Sequence, residues 1–219
     1  LLKKKKVGII AGPHVDPLKQ NNSEKLIGLI KKSFLITMRP KLQKNNLEKE
    51  QYVKFLPSVN WILSKKFFNS LNQMDNKLLR SEDWDFCYRM RKKKFKLLYS
   101  PKTLVYHENA TTSHFLTKRF KYGLYMWPIL MQPNSENYYF FISLIFIIFL
   151  FSFPLGFLFD YYYYFYLSIL IIYILVILIE TIKVCDKLQN FLKILVVLVS
   201  ASIIPGCGVL LGLFNFFKK

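Results

Sequence analysis

Glu82-Asp83-Trp84-Asp85 places three carboxylates within four positions of a chain in which bases outnumber acids 32 to 13. Three kinds of chemistry are open to them. Acids in the first turn of a helix favour its dipole by ~0.3–1 kcal/mol each, and Ser81, just ahead of them, is a residue type that caps helices. Asp83 and Asp85 also form a D-x-D pair that could hold a cation. On a helix, however, residues i and i+2 project ~200° apart and do not converge on one ion. The third reading makes Asp83 a general base, with Glu82 beside it and His107 arriving at a strand end. A carboxylate suits the deprotonation of a hydroxyl as it attacks.

Positioning such groups takes an α/β framework, and residues 1–113 read as one. "VGIIAG" is a short buried strand closed by a glycine. "SEKLIGLIKKSF" carries Leu26, Ile27, Leu29, Ile30 and Phe34 at near-helical spacing, with Ser23 as a candidate N-cap. "QYVKFLPSVNWILS" alternates like a strand, and "KKFFNSL" begins a helix. The helix opening at Glu82 puts Trp84, Cys87, Tyr88 and Arg91 on one face. "FKLLY" and "TLVYH" are two extended pieces joined around Pro101.

Charge divides the chain. Residues 1–137 hold 27 Lys+Arg against 10 Asp+Glu, a net of +17, and the rest hold 5 against 3. That rear part contains uncharged stretches near the ~20 apolar residues that cross a bilayer core. The expected spans are about 139–159, 161–180 and 194–217, a membrane domain of 138–219. Residues 114–137 mix bases with aromatics, as an interfacial helix or a connecting helix would. Lys183, Lys187 and Lys193 follow the second span, while "DYYYYFY" after the first holds no lysine, so the basic front is expected on the cytoplasmic side of a multi-pass cell (inner) membrane protein. Pro205-Gly206-Cys207-Gly208 leaves two forms open for the last stretch, a single crossing or a re-entrant hairpin. The three cysteines fit no zinc or redox spacing and read as reduced, packed thiols. No nucleic-acid motif accompanies the basic charge, so lipid headgroups are the expected anionic partner and nucleic acid is not.

In order, "AGPH", "LPSVNWILSKKFF", "SEDWDFCYRM", "FKLLYSPKTLVYH" and "TKRFKYG" resemble the second half of family 2 glycosyltransferases, GT-A enzymes many of which carry C-terminal membrane helices. The resemblance covers residues 7 to about 127. It implies a partial GT-A domain and transfer of a sugar from a nucleotide-sugar donor to a glycan or polyprenyl-linked acceptor, by a single inverting displacement in cell-surface polysaccharide or glycoconjugate synthesis. Asp83 maps to the catalytic base, with Glu82 in the same motif. Ser58 and Asn60 map to the acceptor side, with Trp84 as a further substrate contact. His107 maps near the donor diphosphate or its divalent metal, Mg²⁺ or Mn²⁺. Arg119 and Lys121 match the basic segment that follows. Plainer roles stand beside these: a backbone-satisfied histidine, an Asn60 that holds a loop, and bases that meet lipid phosphate.

Two family glycines are replaced. The Gly-Gly-Phe-Asp turn is Asn72-Gln73-Met74-Asp75, and the glycine ending the Glu-Asp helix is Lys94, which would cost on the order of 1 kcal/mol in a left-handed conformation. By the resemblance, the nucleotide-binding half with its own D-x-D belongs before residue 1. The chain as given is therefore expected to transfer no sugar by itself, and "VGIIAG" is expected to be an exposed apolar edge. A non-catalytic membrane-bound remnant or binding subunit of the same fold is the alternative. A small transporter is disfavoured because Asp160 and Glu180 sit only at span edges, and a processive synthase because no Q-x-x-R-W follows His107.

Overall fold

A computed structural model describes residues 6–36, 49–131 and 141–217. The chain forms two compact units, one of Leu1–Gln20 with Arg39–Asn109 and the other of Asn21–Met38 with Ala110–Lys219. It is a mixed helix and sheet protein.

The first unit is built on strand β1 (Val7–Ala11), which the short apolar run favours and which is buried along its whole length. It pairs in parallel with β4 (Lys96–Tyr99), and β4 pairs antiparallel with β3 (Gln51–Val53). The edge expected to be exposed is covered, because Ile10 exchanges both backbone hydrogen bonds with Ile62 at 3.0 and 2.8 Å. β2 (His14–Val15) and β5 (Val105–Tyr106) form a separate parallel pair. The expected strand over residues 51–64 is broken up. The strand ends at Val53, Ser58–Asn60 winds into a 3-10 turn after Pro57, and only Ile62 rejoins a sheet.

Helix α1 (Asn22–Ile30) groups with the second unit and is treated there. α2 (Lys65–Ser70) and α3 (Glu82–Lys92) cover the three-stranded sheet. The buried residues of α3 are Asp85, Phe86, Cys87 and Met90, so of the expected face only Cys87 is fully enclosed. Phe86, Cys87 and Met90 join Ile9, Ala11, Leu56, Leu71, Leu97 and Tyr99 in the core. Both helices end in the same way. Asn72 (φ 58°) and Lys94 (φ 62°) are left-handed. The N–H groups of Gln73 and Phe95 reach back to the carbonyls of Phe68 and Met90, while those of Asn72 and Lys94 reach Asn69 and Arg91. These are Schellman closures, which glycine makes without strain. The two glycine replacements therefore fall where a left-handed residue is required.

The second unit gathers α1, α4 (Thr112–Leu124), α5 (Trp127–Leu130), α6 (Phe141–Phe151), α7 (Asp160–Val184) and α8 (Leu188–Phe217). The N-cap of α1 is Asn21, in a capping box with Glu24. Ser23, expected in that role, instead accepts the Thr112 N–H at 2.8 Å and so serves the start of α4. Two helices, α7 and α8, are long and apolar enough to cross a membrane. α6, continued by the 3-10 turn Phe153–Phe157, is a shorter apolar helix. Residues 132–140, which hold the end of the basic-aromatic segment and the start of the first expected span, lie outside the described residues.

α8 is one continuous helix through Pro205, so the last apolar stretch is not a re-entrant hairpin. Proline lacks the N–H that would bond the carbonyl four residues back, here Ala201. Arg119 of α4 donates to that carbonyl from its Nη2 at 2.9 Å. α4 comes this close because Gly123, Gly208 and Gly212 lie against the opposing backbone.

Two stability predictions follow from these closures. Lys94→Gly is expected to stabilise the first unit by about 1 kcal/mol, read as a higher denaturant midpoint in detergent. Arg119→Met is expected to cost about 1.5–3 kcal/mol, the range for hydrogen bonds to charged groups. In a Pro205→Ala background Ala201 regains a helical partner, and the cost should fall by more than half in a double-mutant cycle.

Candidate active site

α3 opens at Ser81, whose backbone is left-handed (φ 63°) and whose side chain makes no capping bond. The expected cap is thus a strained turn that aims the acids. A non-glycine residue held in this region costs on the order of 1–3 kcal/mol and persists only where its surroundings impose it.

The two aspartates of the D-x-D diverge as helix geometry demands. Asp85 is buried and accepts from Arg89 Nε at 2.8 Å. The same guanidinium donates to the carbonyls of Leu71 and Gln73, bracing the left-handed pair Asn72-Gln73. Asp85 is therefore a structural acid. Asp83 instead accepts the Trp84 N–H at 2.8 Å. Burial pushes its carboxyl up to about 6, with the neighbouring Glu82 charge adding to the rise, while the Trp84 and Ser58 N–H groups pull the other way. A carboxyl near 6 holds a proton reversibly at neutral pH, which is what a general base must do.

The other expected site residues separate into three groups. Ser58 is exposed on its 3-10 turn, and its backbone reaches Asp83. Trp84 lies half-buried against Phe55, with ring centroids 4.8 Å apart. Asn60, two residues beyond Ser58, turns inward. Its Nδ2 donates to the carbonyls of Gly12 at 3.2 Å and Thr103 at 2.7 Å, which gives it the loop-holding role. Cys87 sits under this region with its thiol pushed up to about 12 by burial, so it is inert.

His107 stands on the two-stranded sheet, exposed, with Nδ1 2.7 Å from the Glu108 carbonyl. Its ring lies 6.0 Å from that of His14, which sequence reasoning passed over. The signal was present in "AGPH", but the strand pairing that brings β2 beside β5 was needed to use it. Among the described residues no three His, Cys, Asp or Glu side chains gather where they could hold a metal ion. A hard cation such as Mg²⁺ or Mn²⁺ is bound through oxygen ligands. Here Asp85 is engaged by Arg89 and Asp83 points elsewhere, so these residues do not fit such an ion. Arg119 and Lys121 belong to the second unit, where Arg119 serves Ala201 and Lys121 is exposed.

The raised Asp83 pKa has a consequence for stability. A carboxyl that binds its proton more tightly in the folded state stabilises the fold fully below about 3.8, and that contribution is lost as pH rises through about 6. Above that, the fold carries the burial of a carboxylate, on the order of 3 kcal/mol at 1.36 kcal/mol per unit. Asp83→Asn is therefore expected to raise the thermal midpoint at pH 7.5, with the gain vanishing by pH 4. A capping role predicts the opposite sign at pH 7.5.

No family model, curated protein or solved structure gives a significant match to this chain.

Proposed function

We propose that this chain belongs to a membrane-anchored glycosyltransferase of the GT-A type, in which Asp83 is the general base of an inverting transfer. The observation that carries the reading is the Asp83 carboxyl, raised to about 6 by burial at the start of a strained helix and set against the exposed Ser58 turn. In this reading an acceptor hydroxyl, from a glycan or a lipid-linked sugar, lies over Ser58 and Trp84. Asp83 takes its proton as the oxygen attacks the anomeric carbon of a nucleotide sugar, and the nucleoside diphosphate leaves with the bonding electrons. Glu82 keeps the Asp83 proton affinity high by its charge. The paired Asn72 and Lys94 closures support the reading too, since the enzymes this sequence resembles place glycine at both positions.

The two apolar helices support attachment to a membrane. The lysines at 183, 187 and 193 favour a cytoplasmic position for the basic front, where nucleotide sugars are made available. Membrane lipids are then a standing partner of the protein. No step of the proposal is routed through a metal.

Transfer measured in membranes of cells that carry the native gene tests the proposal. Asp83→Asn is expected to lower turnover 10²–10⁴-fold with the protein still folded and present in the membrane. Asp85→Asn should lower stability and leave turnover per folded molecule near normal. Near-normal turnover in Asp83→Asn, together with unchanged stability, would favour a non-catalytic binding subunit of the same fold.

A further inference from the structure

Of the two helices long enough to cross a membrane, α8 has a companion that makes crossing difficult. α4 runs parallel to it and in register. Phe115 packs among Ile194, Val197 and Leu198, Arg119 bonds to Ala201, Gly123 lies against Pro205, and Trp127 donates from its indole to the Val209 carbonyl. Each advance along α4 is matched by an advance along α8, so at every level the two helices share one depth.

The faces they turn outward differ. On α8 the exposed residues Leu192, Val196, Leu211 and Phe214 form an apolar stripe, with exposed Gln189 and Lys193 beside its N-terminal end. At 100° per residue that stripe lies on the side opposite Ala201, Pro205, Gly208 and Gly212, the residues that meet α4. On α4 the outward residues are Ser113, His114, Thr117, Lys121 and Tyr122, with Lys118 half-buried beside them. The pair is therefore a layer with one apolar face and one polar, basic face.

If α8 stood across the bilayer, the middle of Leu188–Phe217 would lie near the centre of the hydrocarbon. Arg119 at Ala201 and exposed Lys121 about half a turn on would be carried there with it, among the most costly placements a bilayer imposes. The other helices relate to α8 differently. α6 and α7 close on each other at their far ends, where Phe149 stacks on Tyr166 with centroids 4.6 Å apart and Ser152 bonds to Tyr162. α8 packs from the middle of that hairpin to its opposite end, against Tyr173, Ile177 and Val184 of α7 and against Ser143 and Ile147 of α6.

We infer that α8 does not cross the membrane but lies in its plane, with its apolar stripe in the acyl boundary and the basic face of α4 among anionic headgroups, while α6 and α7 form the crossing hairpin. Apolar burial and headgroup attraction act together in such a placement. This rests on the membrane attachment proposed above and not on the transferase reading, and its test has no enzymatic step.

The whole chain, with Cys87, Cys185 and Cys207 replaced by alanine, is placed in vesicles containing about one third anionic lipid. Single cysteines are then introduced as Tyr161→Cys, Lys187→Cys and Asn215→Cys. An impermeant thiol reagent is expected to reach positions 187 and 215 from one side and 161 from the other. Labelling of 215 from the side of 161 would overturn the inference, since α8 would then cross. A depth measurement at single introduced cysteines gives a second, independent reading. Nitroxides at Val196, Ile203, Leu211 and Phe214, read by collision with oxygen against a water-soluble nickel chelate, should report one shallow depth. A depth maximum at Ile203 means a crossing helix and overturns it. Protection from both relaxers means a second protein chain covers the stripe, and that outcome overturns it as well.

Discussion

The first unit hangs on a single side-chain amide. Asn60 donates both of its hydrogens to backbone carbonyls, one at Gly12 where β1 ends and one at Thr103 between β4 and β5. The two chain segments come so close there that a Cβ on Gly12 would overlap Ser100 and Thr103. Each hydrogen bond is worth about 1 kcal/mol net, but leaving a buried carbonyl unpaired costs more, so the amide is hard to replace. Everything that bears on the site is strung from this junction. It sets where β2 and β5 leave to pair, bringing His14 beside His107. It pins the turn Ser58–Asn60 to the sheet, so that the Ser58 N–H meets Asp83.

Two acids two residues apart meet opposite fates, and the contrast locates the site. Asp85 is buried and ion-paired with Arg89, which in turn closes the turn after α2. Asp83 is half-buried, accepts from backbone N–H groups and keeps a raised proton affinity because of its partial burial. The first unit also holds the left-handed Ser81, the unpartnered Oδ1 of Asn60 and the unpartnered hydroxyl of Tyr99. A sequence selected only for stability would remove such features.

Much of this was legible in the residues. "VGIIAG", "FKLLY" and "TLVYH" became strands because short apolar runs between breakers have little else to become. The left-handed demand at Asn72 and Lys94 was readable only through the resemblance, which puts glycine at both positions; a turn type fixes the backbone angle whatever residue occupies it. The misreadings have physical sources. Alternation across residues 51–64 pointed to a strand, but Pro57 has no N–H to give a ladder, and the chain winds into a 3-10 turn instead. β1 was expected to be bare because the resemblance puts the first strands of the sheet before residue 1, while its actual cover, Ile62, is non-local and carries no sequence signal. Ser23 was a reasonable cap for its own helix, yet Asn21 with Glu24 forms a reciprocal pair that one serine cannot match.

Charge was the least transferable part of the reading, and Arg119 shows why. Counted along the sequence it is one base in a basic segment, available to phosphate. In the fold it answers a carbonyl orphaned by a proline 86 positions further on. Proline at 205 keeps α8 continuous only if Ala201 finds a donor from outside its own helix. Glycines at 123, 208 and 212 let α4 come near enough to supply one. A cation used in this way needs no acid beside it, because the carbonyl dipole and the backbone around it supply the negative end. The basic character of α4 is therefore divided by depth: Arg119 inward as part of the helix pair, His114, Lys118 and Lys121 toward the surface. The same residue run that fixes one helix to another also sets its remaining bases on the outward side of the pair.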